Sequence, residues 1–89
     1  MVRDEVLRKA EELINGDRQK AYGDASVLHR RIALMWSAYL GVDVSAKDVI
    51  AMMALLKISR TAGGAGTADN WVDTCGYAAL AAEQEDCDG

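Results

Sequence analysis

The fold class is decided by residues 48–60, which read DVIAMMALLKISR. On a helix, the apolar residues of this run point in every direction, and the run ends in the basic pair Lys57 and Arg60. A helix that is apolar all round has to be covered all round. The run therefore predicts either the central helix of an all-α domain or a helix shared with a second subunit.

Two helices are predicted before this run, because apolar residues recur there every three to four positions. The first covers about residues 3–14 and stops at Asn15-Gly16. The second begins at a cap supplied by Asp24 or Ser26 and ends at Gly41. The sequence thus places helices on both sides of a polar connection.

Two helices are also predicted in the second half of the chain. Ser45 caps the helix that contains the apolar run, and Asp48 completes a capping box with it. A flexible surface loop follows at residues 62–66, and Thr67 caps the fourth helix. Gly76 lies among alanines in that helix, which predicts close packing against the second or third helix, since a glycine within a helix otherwise costs ~1 kcal/mol relative to alanine.

Composition predicts an all-α, four-helix compact domain over residues 1–82 and a disordered acidic tail over residues 83–89. The chain has 89 residues, 51% of them hydrophobic, and contains neither proline nor phenylalanine. Four short helices make a marginal monomer. We therefore expect a homodimer or higher homo-oligomer that buries the apolar excess of the third helix.

Charge and residue usage exclude several classes of protein. The formal charge of −4 argues against general binding to nucleic acid. No apolar run approaches the ~20 residues that span a bilayer. Cys75 and Cys87 form neither a disulfide framework nor a zinc spacing. A cytoplasmic protein with no membrane partner is expected.

The connection at residues 16–24 carries candidate ligand-binding side chains. Arg18 can hold a phosphate through two parallel hydrogen bonds, Lys20 adds a positive charge, and Tyr22 can stack on a base. The alternative is a solvated loop whose glycines only make turns. His29, the one histidine, is expected at the edge of the packed face, satisfied by a neighbour rather than acting as a base.

A second candidate cluster lies at the junction of the third and fourth helices. Lys57 and Arg60 are predicted to pair with Asp69 and Asp73, which can be purely structural. Alternatively, the two aspartates hold Mg²⁺ and the two cations meet the phosphates of a ligand. Two carboxylates are few for magnesium, so Glu11, Glu12 or Asp48 would have to join them.

The chain resembles a family of small proteins from tailed phages and prophages of actinobacteria, notably mycobacteriophages. Four blocks carry this resemblance: GDR…YGD (16–24), IA…WSAYLG (32–41), DV…LLKISR (48–60) and DNWVD…GYAAL (69–80). The resemblance implies a phage protein that acts in the cytoplasm of the infected host, and it implies no particular activity.

A fainter resemblance is to the MazG-type nucleotide pyrophosphohydrolases. Asp69 and Asp73 leading into Gly76-Tyr77 look like the later acidic helix of that superfamily, and Lys57 and Arg60 are similar to its phosphate-holding residues. The resemblance implies a helical dimer or tetramer that uses Mg²⁺ to cut nucleoside triphosphates. The chain departs from that pattern, because the Glu-x-x-Glu and Glu-x-x-Asp pairs of the superfamily are missing from the expected places.

Two functions follow from these features. The first is a phage protein that binds, and as an enzyme would hydrolyse, a nucleotide or other phosphorylated metabolite with Mg²⁺. Its expected ligands are Asp69 and Asp73 for the metal, Arg18, Lys57 and Arg60 for phosphate, and Tyr22 for the base. The alternative is a non-enzymatic phage protein that binds a host or phage protein through apolar helix surfaces.

Overall fold

The computed structural model describes residues 1–16, 24–65 and 67–88. Within these ranges the chain forms four α-helices and no strand, which confirms the predicted all-α class. The helices are α1, Arg3–Asn15; α2, Ala25–Leu40; α3, Ala46–Arg60; and α4, Ala68–Asp88. None of them is long and apolar enough to cross a membrane.

The ends of α2 and α3 follow local sequence signals. The Asp24 carboxylate accepts the backbone N–H of Ser26 at 2.8 Å and thereby caps α2. Ser45 Oγ accepts the N–H of Asp48 at 3.0 Å, and the Asp48 carboxylate accepts the N–H of Ser45 at 3.1 Å, so the predicted capping box is confirmed. Gly41 has φ +73° where α2 ends. This left-handed conformation strains residues that have a side chain.

The connection from α3 to α4 is more ordered than the predicted surface loop. Residues Thr61–Ala65 form a π-helical turn directly after α3, and the Thr61 hydroxyl donates to the carbonyl of Lys57. Gly64 has φ +83°, which interrupts the helical path. The chain turns back there, so that α4 packs along α3.

Helix α4 contacts all three other helices. It packs extensively on α3 and α1 and lightly on α2, whereas α2 packs mainly on α3. A Cβ atom on Gly76 would lie 3.1 Å from Ile14 Cγ2. The missing side chain therefore lets α4 approach α1, and the predicted close packing against the second or third helix is wrong in its partner.

The core of the described residues is small. Val49 and Ile50 of α3 are its largest fully buried side chains. The other buried hydrophobic residues are mostly alanines or come from α4: Ala10, Ala33, Ala46, Val72 and Tyr77. The four helices thus pack around a thin layer of side chains.

The C-terminal residues differ from the prediction. Helix α4 continues to Asp88, so residues 83–88 are helical where a disordered tail was predicted. Gln84 is 2% exposed, and the Glu85 carboxylate forms a 3.2 Å ion pair with Lys47 of α3. These contacts with the rest of the bundle explain why an acidic segment stays helical. That residues 1–82 form a single domain stays a prediction.

Candidate functional site

An ion pair joins α3 to α4 at the predicted junction. Lys57 Nζ lies 3.0 Å from Asp73 Oδ2, and the two side chains are only 13% and 19% exposed. This confirms half of the predicted pairing. In the described part of the chain, Arg60 and Asp69 are exposed and are not joined by an ion pair.

Asp69 and Asp73 also line an open hollow between α1 and α4. The hollow has a volume of about 510 Å³, and its lining residues are Lys9, Glu12, Leu13, Asp69, Val72 and Asp73. Of the three acidic residues considered as additional ligands, Glu12 is the one that reaches this hollow. Asp48 is instead engaged in the capping box of α3, and Glu11 lines a different hollow.

The carboxylates share this hollow without converging. Within residues 1–16, 24–65 and 67–88, no three His, Cys, Asp or Glu side chains come close enough to form a metal centre. Mg²⁺ commonly binds through one or two carboxylates and completes its shell with water and substrate phosphate oxygens. Asp69 and Asp73 are a suitable protein contribution to a site of that kind, and a metal there remains a proposal.

Several predicted ligand-binding residues cannot be placed relative to this hollow. Arg18, Lys20 and Tyr22 lie outside the described residues. Their assignment to phosphate and base therefore stays a prediction.

His29 lies on α2 and is buried, with 6% exposure. Its Nδ1 is 2.7 Å from the carbonyl oxygen of Ala25. A carbonyl only accepts, so Nδ1 carries the hydrogen and Nε2 is an acceptor in the neutral ring. Burial lowers the pKa of His29, and the hydrogen bond to Ala25 partly opposes that effect. The His29 and Tyr77 rings meet in a T-shaped arrangement, with centroids 6.5 Å apart. The predicted satisfied histidine is confirmed, deeper in the fold than expected.

A second hollow, of about 270 Å³, lies beside His29 at one end of the bundle. Its lining combines polar side chains with aliphatic ones from all four helices: Ile14, Asn15, Asp24, Ala25, Ser26, His29, Ile50, Leu80, Glu83 and Gln84. The sequence named Glu12 only as one of three possible additional ligands, and it did not predict this second hollow. Local spacing has no signal for either, because the lining residues come from distant parts of the chain.

Comparison with known families identifies the chain. Residues 5–85 match DUF6378, a domain of unknown function. The chain belongs to the DUF6378 family. The DUF6378 match includes α3, α4 up to residue 85, and the hollow between α1 and α4.

Two curated relatives come from mycobacteriophages. The chain is 47% identical over 76 residues to the Gene 55 protein of Mycobacterium phage L5, covering 84% of the chain and 49% of the relative. It is 40% identical over 73 residues to the Gene 55 protein of Mycobacterium phage D29, covering 82% and 48%. The resemblance to a mycobacteriophage family is therefore confirmed.

The DUF6378 chain spans about half the length of the two curated relatives. No solved structure matches it.

Proposed function

We propose that this chain binds a nucleotide or other phosphorylated metabolite together with Mg²⁺, at the junction of α1, α3 and α4. The observation that carries the proposal is the Lys57–Asp73 pair at the edge of a hollow also lined by Asp69 and Glu12. An amine that can bind phosphate is held there next to carboxylates that can bind a cation. A phosphate ligand with a bound metal ion presents a negative charge to the amine and a positive charge to the carboxylates.

The low exposure of Lys57 and Asp73 favours a ligand that supplies each of them with a new partner of opposite charge. Lys57 and Asp73 are largely removed from water, where charge interactions are stronger than at the surface. A phosphate would replace the carboxylate beside Lys57, and a cation would replace the amine beside Asp73. Each buried charge would then keep a partner of opposite sign. Arg60, exposed one turn beyond Lys57, is available for a further phosphate oxygen.

The reaction we propose for the site is MazG-like hydrolysis of a nucleoside triphosphate to its monophosphate and pyrophosphate. Water attacks the α-phosphorus, the bond to the bridging oxygen breaks, and pyrophosphate leaves. A bound Mg²⁺ supplies a more acidic water and offsets phosphate charge. Asp69 and Asp73 would hold it with help from Glu12, and Lys57, Arg60 and Arg18 would bind phosphate. Tyr22 would stack on the base.

The setting of this activity is part of the same proposal. We place the protein in the cytoplasm of an infected host, as a MazG-like homo-oligomer, and its mycobacteriophage relatives support the first point. Since the chain spans about half the length of those relatives, the activity of the longer proteins is also a proposal.

The test is release of pyrophosphate and phosphate from ribo- and deoxynucleoside triphosphates with Mg²⁺ or Mn²⁺. We expect release by the unmodified chain and its loss in Asp69→Asn and Asp73→Asn. Asp86→Asn is the matched control, because it removes an exposed carboxylate from the same helix. Asp69→Asn leaves the Lys57–Asp73 pair intact, so it separates loss of a ligand from loss of stability.

Two results would contradict this proposal. A folded protein that releases nothing, yet binds a nucleotide with Mg²⁺ in calorimetry, would remove the hydrolysis and keep the binding. A folded protein that neither binds nor hydrolyses any nucleotide would remove the proposed function.

A second candidate is a non-enzymatic protein that binds a host or phage protein. The observation in its favour is the exposure of large apolar residues such as Leu34 and Leu55, at 73% and 62%. Affinity capture from infected cells should then yield one stoichiometric partner, lost in Leu34→Glu. Nucleic acid is a less suitable partner for a chain of net charge −4.

A further inference from the structure

The outer side of α2 is apolar and uncovered. Leu34, Met35 and Tyr39 are 73%, 66% and 89% exposed. On the packed side of the same helix, His29 and Ala33 are each 6% exposed. Since α2 packs mainly on α3, its other side has no neighbour among the described helices that buries it. We call Leu34, Met35 and Tyr39 the α2 stripe.

Helix α3 shows the same division. Val49 and Ile50 are 0% and 2% exposed, whereas Met52, Leu55 and Leu56 are 45%, 62% and 46% exposed. The i, i+3, i+4 spacing of these last three residues places them together on one side of the helix, and their exposure shows that the described helices leave it uncovered there. We call them the α3 stripe. Two neighbouring helices therefore each have an apolar side that their own chain leaves in water.

The total surface area of the chain is larger than that of a compact monomer of the same mass. It exposes 6167 Å², whereas a compact monomer of 9.6 kDa exposes about 5,100 Å². The difference, on the order of 1,000 Å², is similar to the ~800 Å² that each partner buries in a stable interface. The radius of gyration, 13.6 Å, also exceeds the ~12 Å of a compact chain of this length. The excess of total surface over that of a compact monomer is thus of the size of one interface.

We infer that the α2 and α3 stripes are covered by a second copy of this chain in a two-fold symmetric dimer. The core supports this occupant, because its two largest fully buried side chains are only Val49 and Ile50. A chain with so thin a core is only marginally stable alone and gains stability from further burial. A second copy is present whenever the chain is synthesised, and a two-fold axis lets the same stripes cover one another.

The inference deepens the homo-oligomer of the proposed function by assigning its contact surface, and it requires neither nucleotide nor metal, so it can fail separately from the proposed activity. Its test is sedimentation equilibrium at micromolar concentration, without nucleotide or Mg²⁺. We expect twice the 9.6 kDa chain mass. Leu34→Glu and Leu55→Glu, made separately, should each weaken dimerisation at least ~10-fold, a loss of ~1.4 kcal/mol.

The matched control is Leu7→Glu. Leu7 is 57% exposed, much like Leu55, but it lies on α1 and outside both stripes. Leu7→Glu should therefore leave the dimer intact. Because a charged variant can unfold outright, Tyr39→Ser is a milder change at the most exposed position of the α2 stripe, and it should weaken the dimer without unfolding it.

Thermal unfolding gives a second measurement. For a dimer, the midpoint rises with protein concentration, and it should rise less in Tyr39→Ser. A monomeric wild-type chain at tens of micromolar with a concentration-independent midpoint would overturn the inference. So would a dimer that survives Leu34→Glu and Leu55→Glu but is lost in Leu7→Glu, or a wild-type monomer that pairs one-to-one with a host protein through the stripes.

Discussion

The inner and outer sides of α3 are both apolar, but only the inner side is buried by the chain itself. Ile50 on the inner side is 2% exposed, and Leu55 on the outer side is 62% exposed. Helix α4 has many small residues and nevertheless contacts all three other helices. The contrast shows that hydrophobicity determines which surfaces need covering. The shape of the neighbouring helix determines which are covered within one chain.

The largest loss of stability is expected from truncating a buried side chain on the inner side of α3. Ile50→Ala should lower the free energy of unfolding by ~2–5 kcal/mol, because it removes buried methyl groups and leaves a cavity. Urea unfolding at a concentration where the chain is monomeric measures the effect. Leu55→Ala on the same helix is the control and should change stability by less than ~0.5 kcal/mol there. Equal losses from the two variants would mean that both sides of α3 are buried in the monomer.

The second-largest loss of stability is expected from adding a side chain at Gly76, where α4 contacts α1. Gly76→Leu should cost ~1–3 kcal/mol or more, since its side chain has to displace Ile14. Gly76→Ala should cost less, because a 3.1 Å contact is partly offset by a gain of ~1 kcal/mol in helix propensity. Thermal and urea unfolding of both variants test this order. A Gly76→Leu protein as stable as the wild type would show that α1 does not pack closely there.

A smaller loss of stability is expected from breaking an ion pair, and it should be larger for the Lys57–Asp73 pair than for the exposed Lys47–Glu85 pair. Lys57→Met leaves the largely buried Asp73 carboxylate without its partner and should cost ~1–2 kcal/mol, between the values for exposed and fully buried pairs. Lys47→Met breaks the exposed pair with Glu85 and should cost less than ~0.5 kcal/mol. A double variant, Lys57→Met with Asp73→Leu, should recover part of the loss. Equal costs for the two lysines would contradict the burial of the Lys57 pair.

The smallest effect is a pH dependence from His29. Burial lowers the pKa of His29 below its usual 6.5, so the unfolded chain binds this proton more readily than the folded one. Stability should therefore fall as pH decreases below 6.5 and level off below the folded pKa. Thermal midpoints between pH 7 and 5 measure the slope, which should flatten in His29→Gln. Asp48 does not interfere, since the capping-box hydrogen bonds hold its pKa below 3.8.

Local signals in the sequence were sufficient for the helices and for part of the site. The cap Ser45 and the helix end at Gly41 were predicted correctly, and Asp24 was one of the two caps predicted for α2, because each acts on backbone groups within a few residues. The Lys57–Asp73 pair was also predictable, since a short connection brings the end of one helix to the start of the next. The mycobacteriophage family was likewise recognisable from sequence blocks alone.

Only the tertiary structure decided which surfaces meet. It put Glu12 in the same hollow as Asp73, paired Gly76 with Ile14, and made the C-terminal residues part of α4 through contacts such as that of Glu85. Contacts of this kind join residues that are far apart in the chain, so no local spacing encodes them. The sequence by itself determined four amphipathic or apolar helices and their ends, except the C-terminal end of α4. Their packing, through the small residues of α4, determined which apolar sides the chain buries and which remain exposed.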